Sequence, residues 1–187
     1  MEILKKIFIE KMGLQESHFN HFCEISECKT FQKKDYLVYD GKICNFIGFV
    51  ETGLIRSFIK KDDAEFNNAF YFPNRFFSAY NSFTRQKPAV SNLQVMIDSN
   101  IRLITYNQLQ ELYKDDPIWY KFGKYIADDF FFRKCERETS LLRDSATERY
   151  KSLLRLHPKI EQLVPQYEIA SYLKIKPESL SRIKSLT

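Results

Sequence analysis

The sequence is poor in the residues on which most catalytic and metal sites are built. It has three histidines, His18, His21 and His157, and none lies between residues 31 and 104, where the strand signals occur. A cupin-type metal site needs several inward-facing histidines on its strands, so this class is excluded. With five glycines, the chain has no glycine-rich phosphate loop, dinucleotide fingerprint or nucleophile elbow. We therefore expect a protein that is not an enzyme and requires no metal or cofactor.

The sequence also lacks paired cysteines and long apolar runs. Its four cysteines, Cys23, Cys28, Cys44 and Cys135, have no CxxC spacing, so we expect reduced thiols; a cluster-binding sensor is the alternative. No apolar run approaches the roughly 18 to 20 residues that cross a bilayer. The N-terminus MEILKKIFIEKM is too short and too charged for a signal peptide, so we expect a cytoplasmic chain with no membrane partner.

What the sequence does have is the composition of a folded protein and a basic end. Its 187 residues are 44% hydrophobic and 28% charged, which allows one large domain or two small ones. Most of the formal net charge of +5 lies from Lys151 to Thr187, a segment that contains no Asp. This asymmetry predicts an anion-binding C-terminal end.

The chain up to about residue 104 shows two successive patterns. Apolar residues at helical spacing in the first thirty residues predict short amphipathic helices. From Phe31 to about Ile104, short runs rich in Val, Ile, Phe and Tyr alternate with turn residues, which predicts an antiparallel sandwich or barrel. The clearest piece is FIGFVETGLIRSFIK, which we interpret as two strands joined by a turn at Glu51, Thr52 and Gly53.

A long helix is predicted next. Asp115 or Asp116 caps it, Pro117 lies in its first turn, and it continues to about Leu142. Its apolar residues cover more than one stripe, so we assign part of them to contact with the same helix of a second subunit. A single helix buried in one large core is the alternative. A hinge is expected between Phe132 and Asp144. The residues assigned to the dimer interface are Trp119, Phe122, Ile126 and Phe130.

The C-terminal segment has the pattern of a helix-turn-helix. Two short helices are predicted from Thr147 to Leu156 and from Pro165 to Leu173, and a last helix begins at Pro177. Their apolar residues lie where two crossed helices would share a small core, and Ala170 is small enough for close approach.

The order of these parts resembles the cAMP receptor protein and Fnr family of bacterial transcription regulators. The stretches that carry the resemblance are FIGFVETGLIRSF, ATERYKSLLRLHP and IASYLKIKPESLSRI. The resemblance implies an α+β fold with three parts. These are N-terminal helices and an antiparallel β-roll (double-stranded β-helix) sensor domain in 1–107, a dimerisation helix and hinge in 108–143, and a helix-turn-helix domain in 144–187.

The resemblance also implies DNA-binding residues in the last helix. Glu178, Ser179 and Arg182 match positions that face bases, and Lys176, Ser181 and Lys184 suit phosphates. The implied partners are double-stranded DNA, a second copy of the chain and, as a further candidate, RNA polymerase. Two features depart from the family pattern. Lys174 stands where the turn usually has glycine, and only five residues follow Arg182, where the family usually has a wing of β-strands. Either the chain binds DNA without a wing, or the native protein continues beyond Thr187.

The sensor segment departs further from the family pattern. Aligning FFSAYNSFTRQKPAVSNLQV with the cyclic-nucleotide cassette puts Ala79 at the usual glutamate position and Ala89 at the usual arginine position. The charge that would neutralise a phosphate is therefore absent, and we expect that cAMP does not bind in the usual way. An unidentified small-molecule effector, or none, is expected instead. The candidate ligand-binding residues are Arg75, Phe77, Ser78, Ala79, Tyr80, Arg85, Ala89 and Val90.

Together these observations predict a dimeric, DNA-binding transcription regulator with an unusual sensor domain. The alternative is a ligand-sensing or protein-interaction module without useful DNA binding.

Overall fold

One antiparallel sheet lies between two groups of helices in the computed structural model, which describes residues 1–186. The strands are β1 (Glu27–Phe31), β2 (Tyr36–Val38), β3 (Phe46–Lys61), β4 (Ala64–Tyr71), β5 (Phe76–Phe77) and β6 (Asn92–Thr105). The helices up to the long helix are α1 (Glu2–Lys6, continued by a π-turn over Ile7–Lys11), α2 (Glu16–Ile25), α3 (Tyr80–Arg85), α4 (Tyr106–Asp115) and α5 (Tyr120–Arg143). The C-terminal helices are α6 (Ala146–Leu156), α7 (Ile160–Leu163), α8 (Gln166–Leu173) and α9 (Pro177–Ser185).

The sheet is built around its two longest strands. Its order is β1-β6-β3-β4, with β2 paired to β6 and β5 paired to β3, and every pairing is antiparallel. The register places Ile47 opposite Ile104 and Ile55 opposite Val95. All four of these side chains are buried, so the two long strands contribute directly to the core.

The predicted turn inside FIGFVETGLIRSFIK is wrong, because this stretch is one continuous strand. β3 stays paired with β6 on both sides of Gly53. The register of this pairing shifts between Val50 and Ile55, as it does at a β-bulge. Gly53 has a φ of +97°, and a Cβ there would lie 2.0 Å from Oγ of Ser99 on β6. The glycine therefore allows a bulge and a close strand approach, a role that a turn signal in the sequence does not distinguish from a hairpin.

The N-terminal helices pack on the long helix through aromatic side chains. The ring centroid of Phe8 lies 4.8 Å from that of Phe22 and 5.8 Å from that of Phe122, and all three side chains are fully buried. Aromatic pairs at these separations stabilise a core beyond the area that they bury. The predicted N-terminal helices are confirmed, and they form one core with the sheet.

The long helix begins and ends close to the predicted limits. The Ile118 N–H donates to Oδ1 of Asp116 at 2.8 Å, and a 3-10 turn over Pro117–Trp119 leads into α5. α5 has 24 residues and is therefore about 36 Å long. The polar stretch RKCERETS is helical throughout, and the helix breaks at Asp144, at the end of the segment in which a hinge was expected.

The assignment to the dimer interface is wrong for three of the four predicted residues. Trp119, Phe122 and Ile126 are 3%, 0% and 0% exposed, because they face the core formed by the sheet and the N-terminal helices. They leave no surface for a second subunit. Phe130 is half-buried and packs on Tyr80 at a centroid distance of 4.9 Å. The apolar residues that α5 exposes lie on its opposite face.

The C-terminal helices form a second core. α6 begins at a capping box, in which the Glu148 N–H donates to Oγ of Ser145 at 3.3 Å and the Ser145 N–H donates to Oε2 of Glu148 at 2.8 Å. The sequence analysis missed α7, whose four residues IEQL follow His157 and Pro158. The second core also includes Leu54 of β3, so the helix-turn-helix packs against the sheet. The domain limits 1–107, 108–143 and 144–187 stay predictions.

No helix within residues 1–186 combines the length and the apolar character that crossing a membrane requires.

Candidate nucleic-acid interface and sensor cassette

The helix-turn-helix is formed by α8, a three-residue turn and α9. Lys174 ends α8 in the left-handed conformation, with φ 57° and ψ 44°. The Ile175 N–H then donates to the Ala170 carbonyl at 3.1 Å, which closes the helix end. Ala170 and Leu180 are both 0% exposed, so the two helices share the small core expected from their apolar pattern. Lysine thus takes the conformation that glycine usually supplies.

The outer face of α9 presents most of the predicted DNA-binding residues. Lys176, Glu178, Ser181 and Arg182 are exposed, and Ser179 is half-buried. Within residues 1–186 the Arg182 guanidinium has no ion-pair or hydrogen-bond partner, so it can donate to an external acceptor.

Two of the predicted DNA-binding residues already have partners within the chain. Gln166 donates through Nε2 to Oγ of Ser181 at 2.6 Å. Nζ of Lys184 lies 2.7 Å from Oε1 of Glu161. The same carboxylate oxygen accepts from the Tyr150 hydroxyl at 2.8 Å. Lys184 therefore ties α9 to α7, a contact that the sequence analysis did not anticipate.

These contacts shift the pKa values of Glu161 and Tyr150. Hydrogen bonds from Lys184 and then from Tyr150 lower the pKa of Glu161. Burial, together with the hydrogen bond to Glu161, raises the pKa of Tyr150 to about 12. Near neutral pH the carboxylate is charged and the phenol is neutral, which is the state in which both hydrogen bonds form.

A buried polar cluster joins the helix-turn-helix to the sheet. Nη1 of Arg56 on β3 donates to Oε1 of Glu168 on α8 at 2.6 Å, and both side chains are less than a tenth exposed. Nη2 of Arg56 also lies 2.7 Å from Oε2 of Glu65 and donates to Oε1 of Gln94 at 2.6 Å. A buried carboxylate needs such partners, because leaving it unpaired in the interior costs several kcal/mol.

Asn67 of β4 completes this cluster. Its Nδ2 donates to the Glu168 carbonyl at 3.1 Å and also to the Glu168 carboxylate. Its backbone N–H donates to Oγ of Ser171 at 2.9 Å, and that hydroxyl donates to the Glu65 carbonyl at 2.9 Å. α8 is thus fixed to the edge strand by side-chain and main-chain bonds. The sequence signal for this contact is Glu168 beside the apolar pair Ile169 and Ala170.

The predicted sensor cassette is closed by its own side chains. Phe77 is 0% exposed, and Ser78, Ala79 and Ala89 are buried. The Ser78 hydroxyl donates to the Phe46 carbonyl at 2.9 Å. The polar atom of Ser78 is therefore satisfied inside the chain, and the alanines offer no polar side-chain atom at all.

The structure separates the remaining cassette residues from that interior. Arg75, Arg85 and Val90 are exposed, and neither arginine has an ion-pair partner within residues 1–186. Tyr80 is half-buried and turned toward α5, where it meets Phe130. The predicted ligand-binding residues thus do not converge on one site.

The described part of the chain offers no metal centre. Among residues 1–186, no group of three or more His, Cys, Asp or Glu side chains could hold a metal ion. The four cysteines are free thiols. Burial, as the largest effect, raises the pKa of both Cys23 and Cys28, which lowers the thiolate fraction that could bind a metal or react.

Solved structures resemble this chain, but comparisons of its sequence with family models and curated proteins find no match. Among solved structures, FixK2 from Bradyrhizobium japonicum is similar at a TM-score of 0.72 and 18% identity, over 87% of this chain and 84% of that chain.

Two further structures agree with this result. CLP, a c-di-GMP responsive global regulator of Xanthomonas campestris, has a TM-score of 0.67 at 16% identity, over 92% of this chain and 91% of that chain. A CooA mutant from Carboxydothermus hydrogenoformans has a TM-score of 0.67 at 18% identity, over 95% and 82% of the two chains. These likenesses confirm the predicted α+β fold with its antiparallel sheet.

Proposed function

We propose that this chain is a dimeric, sequence-specific DNA-binding regulator of transcription. The observation that carries the proposal is α9, the second helix of a closed helix-turn-helix, which exposes Glu178 and Arg182 on its outer face. The Arg182 side chain has no partner among residues 1–186. Arginine donates two hydrogen bonds to guanine O6 and N7, and glutamate accepts one from cytosine N4. The two residues are four apart and so lie on one face of the helix.

The exposed basic residues at the C-terminal end of the chain support binding to the phosphate backbone. Lys176 lies at the start of the helix, and the exposed Lys151 and Lys159 belong to the same end of the chain. Such residues position a helix on the duplex without specifying sequence. Lys184 contributes less, because phosphate binding would compete with its ion pair to Glu161.

A dimer supplies the geometry that operator recognition needs. Two recognition helices must lie about 34 Å apart to enter successive major grooves. We assign the dimer contact to the exposed face of α5, where Phe131 and Phe132 are 64% and 58% exposed and Leu142 is 84% exposed. RNA polymerase stays a predicted further partner, and the cytoplasm is the compartment in which such a bacterial regulator acts.

The sensor domain, in this proposal, does not bind cAMP in the way of the cyclic-nucleotide cassette. Ala79 and Ala89 carry no charge, and both are buried in the same core as Phe77. An anionic phosphate placed there would lose its hydration without gaining a paired charge, which is strongly unfavourable. A small-molecule effector would therefore have to bind elsewhere or bind without a phosphate.

The decisive experiment is selection of sites bound by the full chain from random double-stranded DNA. We expect a two-fold symmetric site and an affinity that falls with salt concentration. Arg182→Ala should relax the preference at one base position in each half-site and cost about 1 to 3 kcal/mol there. Lys159→Ala should weaken binding uniformly across sequences. Arg85→Ala, an exposed arginine in the cassette, is the matched control and should change neither property.

The outcome that would refute the proposal is absence of DNA binding at low salt by a chain shown to be dimeric. That result would favour a ligand-sensing or protein-interaction module that shares the fold.

A further inference from the structure

A cavity of about 140 Å³ lies outside the cassette interior, where α3, α4 and α5 meet above the start of β3. Tyr80 and Phe83 line it from α3, and Tyr106 and Tyr113 line it from α4. The long helix closes one side with Ile126 and Gly123. The cavity therefore contacts both the cassette helix and the helix assigned to the dimer.

The walls of the cavity suit a flat ring. The rings of Phe83 and Tyr106 meet edge to face with their centroids 5.5 Å apart. Tyr80 is nearly parallel to Phe83, at 14° and 6.3 Å between centroids. A further aromatic ring can add edge-to-face or offset contacts to such walls, each worth about 0.5 to 1.5 kcal/mol in other proteins.

The cavity also offers polar atoms that the chain leaves unused. Within residues 1–186, the Tyr113 hydroxyl and the Gln110 amide make no hydrogen bond, and both residues line the cavity. Burial, followed by the proximity of Tyr80 and Tyr120, raises the pKa of Tyr113 to about 12, so its hydroxyl stays neutral and both donates and accepts.

Gly123 leaves the space that the Tyr113 hydroxyl occupies against α5. A Cβ on residue 123 would lie 2.2 Å from the oxygen of that hydroxyl, so only glycine admits the present position of Tyr113. The lining contains no Lys, Arg, His, Asp or Glu. A charged ligand would therefore be buried without a counter-charge, which strongly disfavours it.

We propose that this cavity binds a small, uncharged, single-ring aromatic molecule with a hydroxyl group, that is, a simple phenol. The volume agrees with this size, since an engineered apolar cavity of about 150 Å³ in another protein takes up benzene. The ring would lie against Phe83 and Tyr106, and its hydroxyl would pair with Tyr113 or Gln110. Such a ligand would be the effector of the proposed sensor domain, and binding itself is independent of whether the chain binds DNA.

The test uses 4-fluorophenol as the probe and ¹⁹F NMR of the full chain as the readout. We expect saturable changes in the shift and line width of the probe, and none with the charged 4-fluorobenzoate. Tyr113→Phe keeps the ring and removes the hydroxyl, so affinity should fall about 3- to 10-fold, the range expected for one lost hydrogen bond. Tyr39→Phe, at an exposed tyrosine that stacks on Tyr36, is the matched control and should leave affinity unchanged.

Three results would overturn the proposal. The first is no saturable binding of 4-fluorophenol up to its solubility limit. The second is equal binding of 4-fluorobenzoate. The third is unchanged affinity in both Tyr113→Phe and Gln110→Leu. The second variant is needed because the Gln110 amide could bond the ligand's hydroxyl when Tyr113 has lost its own. DNA binding enters none of these measurements, so failure here is distinct from failure of the proposed regulator function.

Discussion

Lys174 holds a backbone conformation that a glycine would adopt at lower cost. Its φ of 57° places it in the left-handed region, which costs an L-residue with a Cβ about 1 kcal/mol. Its ammonium recovers part of this cost by lying 5.3 Å from the centre of the Phe66 ring. Burial, and then the charge of Arg137, lower the pKa of Lys174, so its ammonium is less stable there than in water.

We therefore expect Lys174→Gly to raise the free energy of unfolding by about 0.5 kcal/mol. Urea denaturation measures the change. Lys134→Gly is the matched control, because Lys134 is exposed inside α5, where glycine should lower the same free energy by about 1 kcal/mol. A loss of stability in Lys174→Gly would show that the lysine side chain matters more than its backbone conformation.

His157 should make stability depend on pH. Its ring stacks on Phe72 at 3.7 Å between centroids, and burial followed by the charge of Arg75 lowers its pKa below 6.5. In the range between the folded pKa and 6.5 the unfolded chain binds more protons than the folded chain, so stability falls as pH falls. The contribution is complete above about pH 6.5 and is lost as pH drops through the folded pKa.

The variant His157→Gln should flatten this dependence. We expect a smaller difference between urea midpoints at about pH 7.5 and about pH 5.5 than in the parent chain, since glutamine does not titrate in this range. The exposed His21→Gln should preserve the parent's difference. If the difference between the two urea midpoints is unchanged in His157→Gln, His157 is not the cause of the pH dependence.

At the scale of elements, sequence periodicity located most of the helices, though not α7, and could not assign their faces. Residues 119, 122, 126 and 130 form one stripe, and residues 131, 135 and 142 form another on the opposite side of α5. Both stripes contain aromatic or aliphatic residues, so periodicity alone cannot say which one meets the chain's own core. The prediction that the first stripe forms the dimer contact is wrong for Trp119, Phe122 and Ile126, because these side chains are buried in the chain's own core.

The exposed stripe of α5 gives a prediction about assembly. Phe131→Glu combined with Phe132→Glu would place two carboxylates in the proposed dimer contact, where desolvation and like-charge repulsion oppose association. We expect the dimer to dissociate at concentrations that keep the parent chain dimeric, as measured by sedimentation velocity. Tyr39→Glu, which alters an exposed aromatic residue on the sheet side, should leave the dimer intact. A double variant that remains dimeric would place the interface elsewhere.

Across the whole molecule, the sequence predicted the order of the parts but not how they dock. Local signals such as Pro117, Ser145 with Glu148, and the apolar pattern around Ala170 are sufficient for helix limits. Docking depends on pairs far apart in the chain, such as Arg56 with Glu168, which no local pattern relates. The cassette follows the same rule: its residues are adjacent in sequence, yet Arg75 and Arg85 lie on the surface while Ala79 and Ala89 are buried.

The buried Arg56–Glu168 pair predicts that the helix-turn-helix is energetically coupled to the sensor sheet. Glu168→Gln keeps the volume but leaves Arg56 with fewer charged partners, since only Glu65 remains. We expect a loss of about 2 to 4 kcal/mol in the free energy of unfolding, because truncating one side of a buried pair exposes the desolvation cost of the other. Asp128→Asn, which breaks the exposed pair with Lys124, should cost at most about 0.5 kcal/mol.

Hydrogen exchange separates docking from general stability. If Glu168 fixes α8 to the sheet through Arg56 of β3 and Asn67 of β4, Glu168→Gln should speed amide exchange in Gln166–Leu173 and Ala64–Tyr71 more than in α5. A double-mutant cycle with Arg56→Met should give a coupling energy above about 1 kcal/mol, because the two side chains share a buried, charge-assisted hydrogen bond. Equal acceleration across all helices, or additive effects in the cycle, would mean that this cluster stabilises the chain without linking the two parts. Preferential loosening of α8 would show that this cluster links the helix-turn-helix to the sheet.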